Sequence, residues 1–293
     1  MFIDSHCHLE AYEEFSGESL DTLFERLRAA SATAEAAGTL DILPPLPEGD
    51  AMWSSPKKAD DSLIRMPEAF IHVACSPKSF DGAIEISEKY PFVYTAYGLH
   101  PECVLTETPE DEARLVELLK HPKCVACGEF GLDYHYGAEH KAEQVKLFER
   151  HLQLGLQSGK PLVLHLREAD DDAIAVLKNA DLRNTNIHVH CFTGDAPFVQ
   201  RLMDLDAHIF VGFTGIITFK TAQNVRDAAA IVPLDQLLLE TDTPYMAPVP
   251  HRGKTCHPGY IPYTARMLAH IKNVPVEELY KHCRENTRRC YGI

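Results

Sequence analysis

The chain has 293 residues with 28 Lys or Arg against 43 Asp or Glu, a formal net charge of −15. A chain this acidic argues against a protein that grips nucleic acid over a broad basic surface. Phosphate chemistry stays open, because bound divalent cations supply positive charge locally.

The length is close to the ~250 residues of one large barrel and enough to bury a substantial core, so residues 1–293 are read as one domain. The opening Met1-Phe2-Ile3-Asp4 has neither a basic nor an extended apolar character, and no apolar run reaches the ~20 residues a membrane helix needs. A soluble, intracellular protein is expected, cytoplasmic or also nuclear in a eukaryote, with no membrane association and no obligate protein partner. Nine cysteines, scattered and odd in number, point to free thiols in a reducing compartment. Cys124-Val125-Ala126-Cys127 has the form of a metal or redox pair. On a strand, however, residues three apart face opposite sides, and no second such pair exists.

In chain order, strand signals occur at 1–6, 69–75, 92–98, 122–128, 161–166, 186–191, 207–212 and 236–241. Between them, apolar residues recur with helical spacing over 20–37, 109–119, 142–157 and 196–203, and a last amphipathic stretch covers 260–272 and 276–286. Strands alternating with helices predict a parallel sheet, and eight such units predict an α/β fold, the (β/α)8 TIM barrel. One segment interrupts the rhythm. Residues 39–67 are rich in proline and charge and read as an irregular insertion. Because it leaves a helix and enters a strand, the segment is expected on the N-terminal face of the barrel, opposite the chemistry.

Polar residues close several of the apolar strands. His6-Cys7-His8 ends the first, Glu129 in Gly128-Glu129-Phe130-Gly131-Leu132-Asp133 the fourth, His165 the fifth, His190 the sixth and Asp242 the eighth. His6 and His8, two apart, share a face. Only a closed ring of strands brings such positions to one point, at the face where barrel active sites lie. A lone strand histidine is more often a hydrogen-bonded core residue, and His188 is read that way, in a deeper layer. The joint set differs: imidazole and carboxylate suit zinc, manganese, iron or magnesium, and one carboxylate can bridge two ions. Two ions about 3.5–4 Å apart suit in-line displacement at phosphorus.

These residues lie in motifs that resemble the TatD family of metal-dependent deoxyribonucleases, within the amidohydrolase-like barrels. The motifs are Asp4-Ser5-His6-Cys7-His8-Leu9, Gly98-Leu99-His100-Pro101, Gly128-Glu129-Phe130-Gly131-Leu132-Asp133-Tyr134, Lys160-Pro161-Leu162-Val163-Leu164-His165-Leu166-Arg167, His190-Cys191-Phe192-Thr193-Gly194 and Leu238-Leu239-Glu240-Thr241-Asp242-Thr243-Pro244-Tyr245. The resemblance spans nearly the whole chain outside the insertion. It implies a deoxyribonuclease, often a 3′-to-5′ exonuclease, acting on single-stranded or frayed 3′ ends of DNA through metal-activated water at a site of two divalent ions such as Mg, Mn or Zn. It further implies that His6, His8 and Asp242 hold one ion and His165 and His190 the other, with Glu129 bridging. Asp242 would also accept the proton of the attacking water. Arg167, two residues beyond His165, and Arg252 and Lys254, just beyond Asp242, are candidate phosphate contacts, with His100 a further substrate contact. After Lys254 the chain departs from the family, reading Thr255-Cys256-His257-Pro258 in place of an Arg-Asn-Glu-Pro-like run, which concerns substrate contact and strand polarity.

Two other readings compete. Related barrels hydrolyse cyclic amides, lactones or phosphotriesters, often with a modified lysine where this chain has Glu129. A non-catalytic metal-binding scaffold is the third.

Overall fold

The computed structural model describes residues 1–39, 43–44, 46, 49–53, 61–135 and 139–293. Eight parallel strands run in sequence order around the sheet. They are β1 (Ile3–Cys7), β2 (Ala69–Ala74), β3 (Val93–Tyr97), β4 (Cys124–Asp133), β5 (Leu162–Arg167), β6 (Asn186–Val189), β7 (His208–Phe213) and β8 (Leu237–Leu239). The helices are α1 (Leu9–Ser16), α2 (Leu20–Ala36), α3 (Phe80–Lys89), α4 (Pro109–Leu118), α5 (Lys141–Ser158), α6 (Asp170–Lys178), α7 (Ala196–Met203), α8 (Gln223–Ile231), α9 (Ile261–Lys272) and α10 (Val276–Tyr291). The predicted barrel is present.

The seam between β8 and β1 closes just past the end of β8. There the Asp242 N–H donates to the His6 carbonyl (3.0 Å) and the His8 N–H to the Thr243 carbonyl (2.8 Å). The buried Asp4 carboxylate strengthens the seam by accepting from the Thr241 N–H (3.0 Å) and hydroxyl (2.6 Å). The largest apolar cluster includes residues of β4, β5, α5, α6 and α7, where strands are backed by helices. A smaller cluster, including Ile71, Val73, Ala126 and Val163, takes in Cys290 and Tyr291 from the end of α10. Strands buried on both sides in this way explain the near-continuous apolar runs in the sequence.

All nine cysteines are free. Burial pushes the Cys124 thiol up to about 11 and raises Cys127 further, so neither is a ready thiolate. Among the described residues no helix is long and apolar enough to cross a membrane.

Segment 39–67 requires a correction. Its residues 40–42, 45, 47–48 and 54–60 lie outside the described residues, but the remainder does not stay at the N-terminal face. The Arg226 guanidinium sits 4.5 Å from the Trp53 ring centroid. Arg226 belongs to the first turn of α8 and donates to the carbonyls of Ile217, Phe219 and Lys220, in the connection that leaves β7. Asp61 lies 3.7 Å from His251, in the connection that leaves β8. The segment therefore reaches the flank of the C-terminal face. Its prolines and charges conceal four apolar residues, Leu43, Leu46, Met52 and Trp53, which are partly buried against the main core; burying them outweighs leaving the loop in solvent.

Candidate metal centre

His6 lies within β1 and His8 immediately after it, so the alternation of the strand aims both rings at the mouth of the barrel. Their Nε2 atoms are 3.3 Å apart. The Nδ1 of His8 is 2.8 Å from the Val73 carbonyl; a hydrogen on Nδ1 donates there and leaves Nε2 as the inward-facing ligand atom. Asp242 completes this side, with Oδ1 3.4 Å from His8 Nε2 and 3.8 Å from His6 Nε2. Its backbone is left-handed (φ 56°). This conformation costs free energy outside glycine, and the bond from the Asp242 N–H to His6 holds it in place.

Glu129 does not end its strand, as the sequence suggested. β4 continues for four more residues, to Asp133. The Oε2 atom of Glu129 is 2.9 Å from His6 Nε2 and 3.1 Å from His190 Nε2, and Oε1 is 3.7 Å from His100 Nε2. Glycines let the neighbouring backbone close around it. A Cβ on Gly98 would come within 2.6 Å of the Glu129 carbonyl oxygen, and one on Gly131 (φ 149°) within 2.1 Å of the His165 carbonyl oxygen. No other residue fits either place.

Along β4, Glu129, Gly131 and Asp133 share a face, so Asp133 also enters the site. The strand signal in the sequence does not single it out, although alternation from Glu129 marks it. Asp133 Oδ2 accepts from His165 Nε2 (2.9 Å), which leaves Nδ1 of His165 free to face His190 Nε2 at 3.0 Å. His100 differs. Its Nδ1 accepts the Glu102 N–H (3.2 Å), so the neutral ring carries its hydrogen on Nε2 and acts as a donor.

Electrostatics bind the set together. Burial alone would raise Glu129, but His190, His6 and His8 hold it well below the usual carboxylate range. Burial drives His190 well below the ordinary histidine value. Burial also lowers His100, with the nearby His165, to about 4. His8 is pulled the other way: against its burial, Asp242 and Glu129 raise it to about 9.

Three sets of ligand atoms each lie within 4.8 Å of one another: His6, His8 and Asp242; His6, Glu129 and His190; and His100, Asp133 and His165. Among the described residues, buried Glu129 Oε2 finds no partner in hydrogen-bond geometry despite the two close rings, nor does Nδ1 of His6 or His190. Lone pairs gathered without protons to share suit bound cations.

The centre opens into a cavity of about 630 Å³ whose lining includes Lys78, Arg167, Tyr245, Glu10, Glu14 and Glu102. Arg167, a candidate phosphate contact in the sequence, lines this cavity 3.9 Å from Asp133. Arg252 and Lys254 are not in the lining. Arg252 instead lies over the Phe219 ring at 4.4 Å, and buried His251 stacks on Tyr260 at 4.0 Å, which draws this connection toward α9. Lys78, in the short turn after β2, was not predicted and carries no sequence signal beyond its place after a strand.

Below the centre, His188 does occupy a deeper layer. It is 2.8 Å from Glu240 Oε2 and 2.6 Å from the Tyr291 hydroxyl. Glu240, also missed in the sequence, accepts the N–H of Cys191, whose backbone is left-handed (φ 42°) beside His190.

A family model described as TatD related DNase matches residues 3–292. The chain is 34% identical over 298 residues to a human protein named 3′-5′ RNA nuclease TATDN2. That match takes in 100% of this chain and 35% of the human protein, so the chain spans about a third of that relative's length. It is 33% identical over 291 residues to YcfH of Escherichia coli K12, named an uncharacterized metal-dependent hydrolase, covering 99% of this chain and 96% of YcfH. Among solved structures, YJJV, a TatD homolog from Escherichia coli K12, matches with a TM-score of 0.78 at 26% identity, over 100% of this chain and 98% of that one.

Proposed function

Because the chain belongs to the TatD-related DNase family, whose relatives include metal-dependent hydrolases, we propose that it is a phosphodiesterase that removes nucleotides from single-stranded or frayed 3′ ends of DNA. The observation that carries this reading is the buried carboxylate of Glu129, set between His6 and His190, with His8 beyond the one and His165 beyond the other. His6, His8 and Asp242 would hold one divalent ion, His165 and His190 a second, with Glu129 shared. Such ions, when bound, offset charge on phosphate oxygens and lower the pKa of water.

The chain's own side chains supply the rest. Asp242, on the cavity wall, takes the proton of the attacking water. His100, neutral and with its hydrogen on Nε2, donates to a phosphate oxygen. Arg167 and Lys78 balance the negative charge that builds on the phosphate. Asp133 fixes the ring of His165 so that Nδ1 faces the centre.

RNA is the second reading, favoured by the name of the human relative. Metal analysis combined with assays on 3′- and 5′-labelled DNA and RNA of equal sequence tests both. Chelator-sensitive release of mononucleotides from the 3′ end of DNA is expected. Faster cleavage of RNA would transfer the assignment to RNA. Full activity without metal, or preference for a lactone or cyclic amide, would overturn the phosphodiesterase reading.

A further inference from the structure

We propose that Tyr245 and Phe15 form a shelf on which a nucleobase next to the scissile phosphate stacks. This rests on the nuclease reading of the same site. Among the described residues, these two are the aromatic members of the exposed large apolar set, Phe15 at 61% and Tyr245 at 43%. They touch edge to face, with centroids 5.6 Å apart and planes at 79°. Two exposed rings in contact mark a surface more than one exposed ring does.

Their position selects the occupant. Tyr245 lines the cavity, its N–H donates to the Asp242 carbonyl (2.8 Å), and its ring lies 6.3 Å from that of His8. A phosphate at the metal centre therefore has this ring within about one nucleotide. Phe15 projects from α1, whose Leu9 and Tyr12 are buried, so the second ring stands on a fixed helix. The rim beside them carries Glu10 and Glu14, whereas the cations of the lining, Lys78 and Arg167, come from the connection after β2 and the end of β5. Near the shelf the base meets a π-face, and across the cavity Lys78 and Arg167 meet the phosphates; stacking combined with backbone charge is how single strands are bound without regard to sequence.

The test compares a DNA oligonucleotide with a normal 3′ end and one whose last two nucleotides lack bases. Wild type is expected to favour the normal end by about 10- to 100-fold in kcat/KM, mostly through KM. Tyr245→Phe should retain this preference, whereas Tyr245→Leu and Phe15→Ala should shrink it. Quenching of a 3′-terminal 2-aminopurine on binding reads stacking without turnover, and it should persist in Tyr245→Phe and vanish in Tyr245→Leu. Equal cleavage of both oligonucleotides by wild type, with equal quenching by all variants, would overturn the shelf and leave the nuclease reading standing. Quenching without cleavage of either substrate would support the shelf and sink the nuclease reading.

Discussion

At the scale of single residues, the centre depends on which nitrogen of each ring faces inward. Asp133 decides this for His165 by accepting from Nε2. Asp133→Asn leaves the shape but offers either an amide or a weaker acceptor, and a 10- to 100-fold loss of metal affinity is expected, as for other outer partners of metal ligands. Metal titration checks it; wild-type affinity would show that His165 is oriented by something else. His8 gives a pH dependence. Against its burial, Asp242 and Glu129 raise it to about 9 in the metal-free protein, so below that pH an incoming ion must displace a proton. Affinity should rise with pH up to about 9, by as much as about tenfold per unit for this one proton. Calorimetry in buffers of different ionisation enthalpy would detect the released proton, and its absence at pH 7 would refute the shift.

At the scale of elements, β4 and segment 39–67 are instructive. The strand signal in the sequence covers 122–128 and is closed by Glu129, so it does not extend β4 to Asp133. In the fold Gly128 and Gly131 let β4 run close to β5, and Gly98, just past β3, lets β4 pass on that side; the extension past Glu129 delivers Asp133. In segment 39–67, Trp53 packs under Arg226, a contact worth about 0.5–2 kcal/mol, beside a few partly buried apolar side chains. Excising residues 44–61 and closing the gap with a short linker should lower Tm by roughly 5–10 °C, since about 2–4 °C accompanies each kcal/mol in domains of this size. None of the segment's described residues lines the cavity, so turnover on a short oligonucleotide should survive at low temperature. Thermal unfolding and single-temperature kinetics test both halves; an unchanged Tm would mean the segment is not docked.

At the scale of the whole molecule, the charge of −15 and a cavity whose lining cations are Lys78 and Arg167 set a limit on substrate grip. Each phosphate neutralised on a single strand contributes a slope of roughly −0.7 to the dependence of log affinity on log salt. Two cations give a slope of roughly −1.4 by the same rule. Binding of a catalytically blocked substrate across a salt series should match that shallow line. A slope of about −4 or steeper would mean that a longer strand lies along the protein than the cavity admits.

Much of this molecule was legible in the chain alone. The barrel followed from eight apolar runs spaced by helical periods, because burial on both faces of a strand leaves a local imprint on every residue of it. His6, His8, Glu129, His165, His190 and Asp242 could be singled out because polar groups at the ends of such runs are costly unless used. What the tertiary structure alone decided was anything set by distance between segments far apart in sequence. Asp133 and His165 meet because β4 and β5 pair in register, and His188 and Glu240 meet over Gly212 of the intervening β7, where a side chain would fill the space between them. Arg252 lies over Phe219 rather than in the cavity lining, beside a His251 that packs on Tyr260, and segment 39–67 climbed the flank because four scattered apolar residues found a surface there. Such contacts have no period and no local signature; they exist only once the chain has closed on itself, when packing of whole elements outweighs the preference of any one stretch.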